Sequence, residues 1–280
     1  MLKFAANLAR NCERNIMSHI TEQTPEASCM EALQTAGRII MENGGETYRA
    51  EETVNRMGTG FGLENVESFA VPSGLFISYQ GEDGNPVTSV KRVHRLGRNL
   101  TRVDEVNQVS RKVFTGEMNC QAALAKLRAI DDMPGAFRGV WSLPAAFLCA
   151  SGFTALFGGG WLAIAVAGVV AALVQGIETL LDRFRNRGLT ASVIGGFVTA
   201  LLPHLLVFVI PDLQVELIIA GAIMPLVPGL AMTTAVQDTM RGDMVSGLSH
   251  GAQAILTAFL IAGGALLAVA VIRQITGGAI

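Results

Sequence analysis

The chain has 280 residues, 50% of them hydrophobic and 16% charged, with a formal net charge of −2. A soluble domain carries about 25% charged residues, and here the deficit is confined to one half. Residues 1–138 hold 16 Lys/Arg and 17 Asp/Glu, whereas residues 139–280 hold 5 Arg, no Lys and 6 Asp/Glu. That division excludes a single soluble enzyme, and the lack of net positive charge argues against a nucleic-acid partner, which calls for a basic patch.

In chain order, residues 1–25 read as a mobile tail, with Met17 as an alternative start. No signal peptide is evident, because the first long apolar run begins near Trp141. Residues 26–138 predict a small cytoplasmic α+β domain. Apolar residues at helical spacing (Leu33, Ala36, Ile40, then Val54 and Met57) predict a helical segment over 26–57, split in two at Asn43-Gly44 by the Gly44-Gly45 pair. Residues 65–80 alternate around Pro72-Ser73-Gly74, residues 81–86 form a turn, and Val87 to Val93 predicts a third strand. Two helices, over 99–115 and 118–130, lead to the membrane. The cluster Arg92, Arg95, Arg98 and Arg102 reads as a solvated basic face, or as a contact for headgroups or anionic substrates. Cys12, Cys29, Cys120 and Cys149 are scattered without a CxxC pair, so neither zinc nor a disulfide framework is expected. Cys149, in an apolar run, reads as a small hydrophobe.

Residues 139–280 predict a bundle of five transmembrane helices, over about 140–158, 161–181, 189–210, 213–236 and 246–272, each near the 20 residues a helix needs to cross the hydrocarbon core. Lys126, Arg128 and Arg138 precede the first span; Arg183, Arg185 and Arg187 follow the second and Arg241 the fourth. The loops 158–160 and 211–212 carry no basic residue. This alternation predicts a cytoplasmic N-terminal domain and a C-terminus on the opposite side, with Arg273 alone against the pattern. Trp141 and Trp161 stand at opposite ends of the first hairpin, as interfacial indoles do.

The fourth span is interrupted. In Met224-Pro225-Leu226-Val227-Pro228-Gly229 two prolines remove two backbone donors and a glycine follows at once. Transporters use such broken helices to aim helix ends at substrates or ions; the structural alternative is a packing kink. Polar residues inside the spans are candidates for the transport pathway. Gln175, Glu178 and Asp182 share one face of the second span, though Glu178 can also snorkel or pair with Arg183. His204 follows Pro203 in the third span, where a histidine can equally be a hydrogen-bonded core residue. Ser246, His250, Gln253 and Thr257 form a stripe in the fifth. Gly168, Gly195-Gly196 and Gly263-Gly264 read as sites of close helix approach. No phosphate loop, metal signature or nucleophile elbow is found in the sequence, so no enzyme activity, cofactor or metal is expected.

Two groups of residues carry a family resemblance. Gly37-Arg38, Glu42 and Gly44-Gly45-Glu46-Thr47-Tyr48-Arg49 with Glu51 resemble the opening motif of the threonine/serine exporter (ThrE) family. Leu226-Val227-Pro228-Gly229, followed by Ala235, Asp238, Gly242 and Gly247, resembles its membrane motif. Thr234 and Gln237 depart from the family pattern, in which asparagine, and arginine or alanine, are more usual. The resemblance covers about residues 28–272. It implies export of small hydrophilic carboxylates across a bacterial inner membrane: threonine and serine, or a dicarboxylate such as succinate. The layout is similar to the YjjP type within the family, a larger component that works with a smaller membrane partner of the YjjB type; a homo-oligomer is also compatible.

On this reading Pro225, Pro228 and Gly229 open a central site, with Thr233 and Thr234 beside it. Free backbone N–H groups and the start of the helix after Gly229 supply the positive potential that a carboxylate needs, because the spans hold no Lys and no midplane Arg. Arg241 and the Arg183 to Arg187 loop gather anions, and Asp238, Glu178 and His250 are candidates for proton coupling. The rival expectation is a membrane-anchored metabolite-sensing or accessory subunit, which needs neither a broken span nor an inward polar stripe.

Overall fold

The computed structural model describes residues 25–81, 83–94, 97, 99–133, 141–181 and 189–276. The chain divides into two compact units, Met1–Pro134 and Gly135–Ile280.

In the first unit α1 (Pro25–Glu42) and α2 (Thr47–Gly60) are followed by strands β1 (Glu64–Val71), β2 (Gly74–Gln80) and β3 (Pro86–Arg92), then by α3 (Leu100–Phe114) and α4 (Cys120–Asp131). The expected break between the first two helices falls at Asn43-Gly44. Gly44 adopts φ +88°, a conformation readily open to glycine, and the Asn43 side-chain Nδ2 donates to the Ile39 carbonyl at 2.7 Å. The strands form an antiparallel sheet in the order β1-β2-β3. One face turns Ala70, Leu75, Ile77 and Tyr79 into a core shared with Leu33, Ile40, Met57, Val106 and Leu127. The other face leaves Phe69, Phe76 and Val90 exposed, aligned across the three strands. Asn99 and Asn119 cap α3 and α4, their side chains accepting from the amides of Arg102 and Ala122.

Two expectations for this unit are corrected. Cys29 and Cys120, 91 residues apart in sequence, are joined as a disulfide with Cα atoms 4.8 Å apart; the fold, not the spacing, pairs them. The basic cluster is not one solvated face either. Arg92 is exposed on β3, but Arg102 is half-buried and donates through Nε to the Met133 carbonyl at 3.1 Å, beyond the end of α4. Arg95, Arg98 and Arg138 lie outside the described residues, as do the tail and Met17.

The second unit is helical: α5 (Ser142–Leu156), α6 (Trp161–Leu181), α7 (Leu189–Val207), α8 (Val215–Ala222), a 3-10 turn (Met224–Leu226), α9 (Gly229–Met240) and α10 (Met244–Ile275). Three of these, α6, α7 and α10, are long and apolar enough to cross a membrane, and α8 and α9 together make a fourth span bent by 58°. The 15-residue α5 is shorter than a crossing requires, so the structure establishes three to four spans where five were expected. The segment expected to be a loop, 237–243, is helical to Met240.

Side-chain size sorts inside out relative to the first unit. Between α5, α6 and α8 the interior is built on Ala146, Ala150, Ala163, Ala167, Ala171 and Ala222, while Leu148, Leu156, Leu173, Phe259 and Leu266 face outward. Without a hydrophobic drive between helices in lipid, small residues that let backbones approach are the packing currency. Trp141 and Trp161 are 73% and 81% exposed. Cys149 is free and exposed, among the outward-facing residues of α5.

The expected small-residue contacts are present with one exception. A Cβ on Gly196 would stand less than 3.0 Å from the Ile261 carbonyl oxygen, and one on Gly264 equally close to that of Val193, so α7 and α10 meet backbone to backbone. Gly168 admits Ser151 and Phe147 of α5; Gly263 faces open space. At one end of the bundle the Gly160 amide donates to Gln214 Oε1 at 2.7 Å, joining the two loops that carry no basic residue.

Candidate functional site

The break in the fourth span is built by its own sequence. After α8, Pro225 sits in the 3-10 turn, Val227 is extended, Pro228 is buried, and α9 restarts at Gly229. Neither proline offers an N–H. The Gly229 amide donates back to the Val227 carbonyl at 2.8 Å and that of Met232 to Pro228 at 3.1 Å, and the amides of Leu230 and Ala231 have no backbone acceptor among the described residues. Gly229 is exposed, and nothing lies within 4 Å of where its Cβ would be. The first turn of α9 thus begins at an exposed glycine, and a helix start of this kind favours an anionic group. Gly195 of α7 receives Leu226 of the turn, 3.1 Å from its would-be Cβ, so the broken segment is seated against α7.

Three turns along α9, Asp238 is 1% exposed and its Oδ2 lies 2.9 Å from His250 Nδ1 on α10. A tight α9–α10 turn makes this pairing. Gly242 takes φ +89°, the Asp243 amide donates to the Asp238 carbonyl at 3.0 Å, and the Asp243 side chain caps α10 at the Ser246 amide. Gly247 gives α10 room against Ala235 and Thr239 of α9. The motif positions Ala235, Asp238, Gly242 and Gly247 thus converge on a single helix contact. Ser246 is fully buried on the same side as His250, and its hydroxyl has no partner among the described residues.

The remaining expected site residues are scattered. Gln253 is exposed, while Thr257 is half-buried and spends its hydroxyl on the Gln253 carbonyl, so the stripe on α10 is interrupted at Gln253. Periodicity places four residues on one face but does not tell which part of that face a neighbour covers. His204 is bonded to its own helix, Nδ1 to the Ala200 carbonyl at 2.8 Å. Thr233 bonds the carbonyls of Gly229 and Leu230, Thr234 is half-buried, and Arg241 is exposed at the end of α9. Gln175 and Glu178 are half-buried on α6; Asp182 and the Arg183 to Arg187 loop lie outside the described residues. Thr199 was not foreseen. It is fully buried with its hydroxyl unpartnered among the described residues, one turn before the helix-interior Pro203. Asp243 was missed too, although an acidic residue just ahead of a helical run is a cap signal.

In the first unit the motif residues hold the fold. Gly37 admits Leu75 of β2; Arg38 pairs with Glu42 at 2.8 Å and with Asp131 of α4 at 2.6 Å. Burial works against the Arg38 charge, but the hydrogen bonds and charges of Asp131 and Glu42 outweigh it and raise the guanidinium above its ordinary value. Gly45 fits against Ile40, Glu46 and Thr47 begin α2, and Arg49 pairs with Glu46 at 2.9 Å and touches the Tyr48 hydroxyl. Glu51 accepts the Ala70 amide at 2.7 Å, tying α2 to β1.

Residues 31–272 match the ThrE family, described as "Putative threonine/serine exporter", and the chain belongs to that family. It is similar to the threonine/serine exporter of Corynebacterium glutamicum (22% identical over 252 residues, 87% of this chain and 51% of the relative). It is similar also to the probable threonine/serine exporter of Mycobacterium tuberculosis (21% identical, 80% and 43%) and to the probable succinate transporter subunit YjjP of Escherichia coli (23% identical over 236 residues, 84% and 91%). The chain spans about half the length of the threonine/serine exporters it matches and most of the length of the YjjP subunit. No solved structure matches. The family is one of exporters rather than enzymes, and with the apolar helices of the second unit it places this chain in a membrane.

Proposed function

We propose that the chain is an inner-membrane secondary exporter, or the larger subunit of one, for small hydrophilic carboxylates: threonine and serine, or a dicarboxylate such as succinate. It crosses the membrane five times, with α5 as the first crossing, the N-terminal unit in the cytoplasm and a smaller membrane subunit of the YjjB type as partner. The observation that carries the reading is the break at Pro225 to Gly229. Its free amides offer a carboxylate positive potential in a unit that holds no lysine. Asp238, near the far end of α9, and His250, beside it on α10, carry the proton that drives export. The match to relatives named as transporter subunits supports a two-part assembly.

Flux measured in vesicles with Pro228→Ala, Gly229→Leu and Asp238→Asn tests the site. At equal expression each should lower export by about tenfold or more, the scale of losing an interaction worth about 1.4 kcal/mol. Wild-type flux in all three removes the proposed pathway. The same assay with and without the small subunit, offered threonine, serine and succinate, decides substrate and partner. Transport by this chain alone refutes the two-part assembly.

A further inference from the structure

The disulfide between Cys29 and Cys120 has no part in the transport reading. Cys29 lies in the first turns of α1 and Cys120 is the first residue of α4, so the bond clamps the last helix of the first unit to its first described helix. The contact does not depend on it. Leu33, Leu127 and Ile130 are fully buried in the same core, Arg38 reaches Asp131 at 2.6 Å, and Arg128 reaches Glu31 at 2.5 Å. The two helices therefore stay joined when the bond opens. Cys29 also lines a concavity of about 430 Å³, flanked by Glu26 and Glu64. These carboxylates disfavour an anionic disulfide reagent and leave a small uncharged oxidant favoured. Cys120, at the start of α4, has its thiolate stabilised by the helix amides.

We infer that Cys29 and Cys120 form a reversible redox site, closed by a peroxide and reopened by a dithiol reductant. The inference rests on the cytoplasmic orientation proposed above, because thiols there are kept reduced and a disulfide is transient and functional. The Cys120 thiolate attacks one oxygen of hydrogen peroxide; the O–O bond breaks, giving a sulfenic acid and, with one proton, water. The Cys29 thiol then displaces the sulfenic oxygen, which leaves as a second water as the S–S bond forms. Two thiols have lost two electrons and two protons, and one peroxide has become two waters. A dithiol returns both electrons in two exchange steps and departs as its own disulfide.

The test uses the full chain carrying C12S/C149S in intact bacterial cells, quenched with acid, denatured and labelled with maleimide-polyethylene glycol. Two labels are expected before a hydrogen peroxide pulse, none directly after it, and two again on recovery. A pair without labels from the outset is a permanent staple, and a pair labelled throughout never closes; either overturns the proposal. In the wild-type chain the disulfide-linked peptides holding Cys29 and Cys120 should be found by mass spectrometry only after the pulse, and their absence overturns the pairing even if the variant folds poorly. Orientation is read separately with Thr88→Cys, on the exposed face of β3, in a cysteine-free chain. A membrane-impermeant maleimide should label it only in broken cells. Labelling in intact cells overturns the orientation and the switch with it, a result distinct from a cytoplasmic pair that does not cycle.

Discussion

Asp238 sits in a helix pair whose other outward and inward positions are mostly apolar, and its side chain is wholly shielded while that of His250 is 12% exposed. Removing one member of such a pair leaves the other desolvated with less to compensate it, which costs about 3 kcal/mol when the pair is buried. His250→Ala should therefore lower the stability of the detergent-purified protein by about that amount, and Asp238→Asn should remove most of the His250→Ala penalty. The check is a double-mutant cycle followed by thermal unfolding. Additive effects would show that the two side chains do not act on each other. Both residues were legible in the sequence as polar positions among apolar ones. Their partnership was not, because it depends on a turn at Gly242 and Asp243 that folds α10 back on α9. The exposure of Gln253 was not legible for a related reason: helical spacing is a property of one helix, and shielding is a property of two.

At the scale of elements, the break between α8 and α9 could be read directly because it is local chemistry. Two prolines and a glycine decide the backbone wherever they stand. The length of α5 could not, since apolar composition continues past the last helical residue at Leu156. The glycines of the α7–α10 contact were recognisable as a class but not one by one. Gly196 and Gly264 each face a carbonyl oxygen of the opposite helix, whereas Gly263 faces open space. Backbone cannot swing aside as a side chain can, so Gly196→Ala and Gly264→Ala should each destabilise by about 1–3 kcal/mol. Gly263→Ala should be neutral or should stabilise by up to about 1 kcal/mol through helix propensity alone. Thermal unfolding of the three single variants in one detergent checks the ranking, and equal behaviour at Gly263 and Gly264 would refute the contact.

Across the whole molecule, the two units solve the packing problem in opposite ways. The first hides Leu, Ile, Met and Val around a half-covered sheet; the second hides alanine and glycine and turns its large side chains outward. Charge counting along the sequence located that change of regime, since a surface facing lipid has no use for lysine. It could not bring Cys29 to Cys120, or Arg38 to Asp131, because those pairings close over about ninety residues of intervening chain. Two outcomes follow. Residues 25–133 expressed alone should remain in the supernatant after an alkaline carbonate wash, while the full chain stays in the pellet. Cys149, exposed on the outer surface of α5, should resist a hydrophilic maleimide in intact membranes and react once the protein is denatured. Rapid labelling of Cys149 in membranes would mean that water or protein, not lipid, covers that face.

The tightest glycine contacts of the second unit fall into two sets, with α7 packed on both through Gly196 toward α10 and through Leu202, Leu206 and Val207 toward the α5–α6–α8 interior. Gly221 of α8 is locked on Ala150 and Thr154 of α5, which shares its interior with α6; Gly247 of α10 is locked on α9, and α10 is locked in turn on α7 through Gly196 and Gly264. Mechanically, the chain crosses from the first set to the second at the α6–α7 connection and crosses between them again at Ile223 to Pro228. A small rotation at Val227 would turn α9 and α10 relative to α8 and change the space beside Gly229, with the α7 side chains Leu202, Leu206 and Val207 sliding over the α5–α6–α8 interior. The prolines then act as a joint as well as an interruption, and the tight glycine contacts are what make the levers on either side of it stiff.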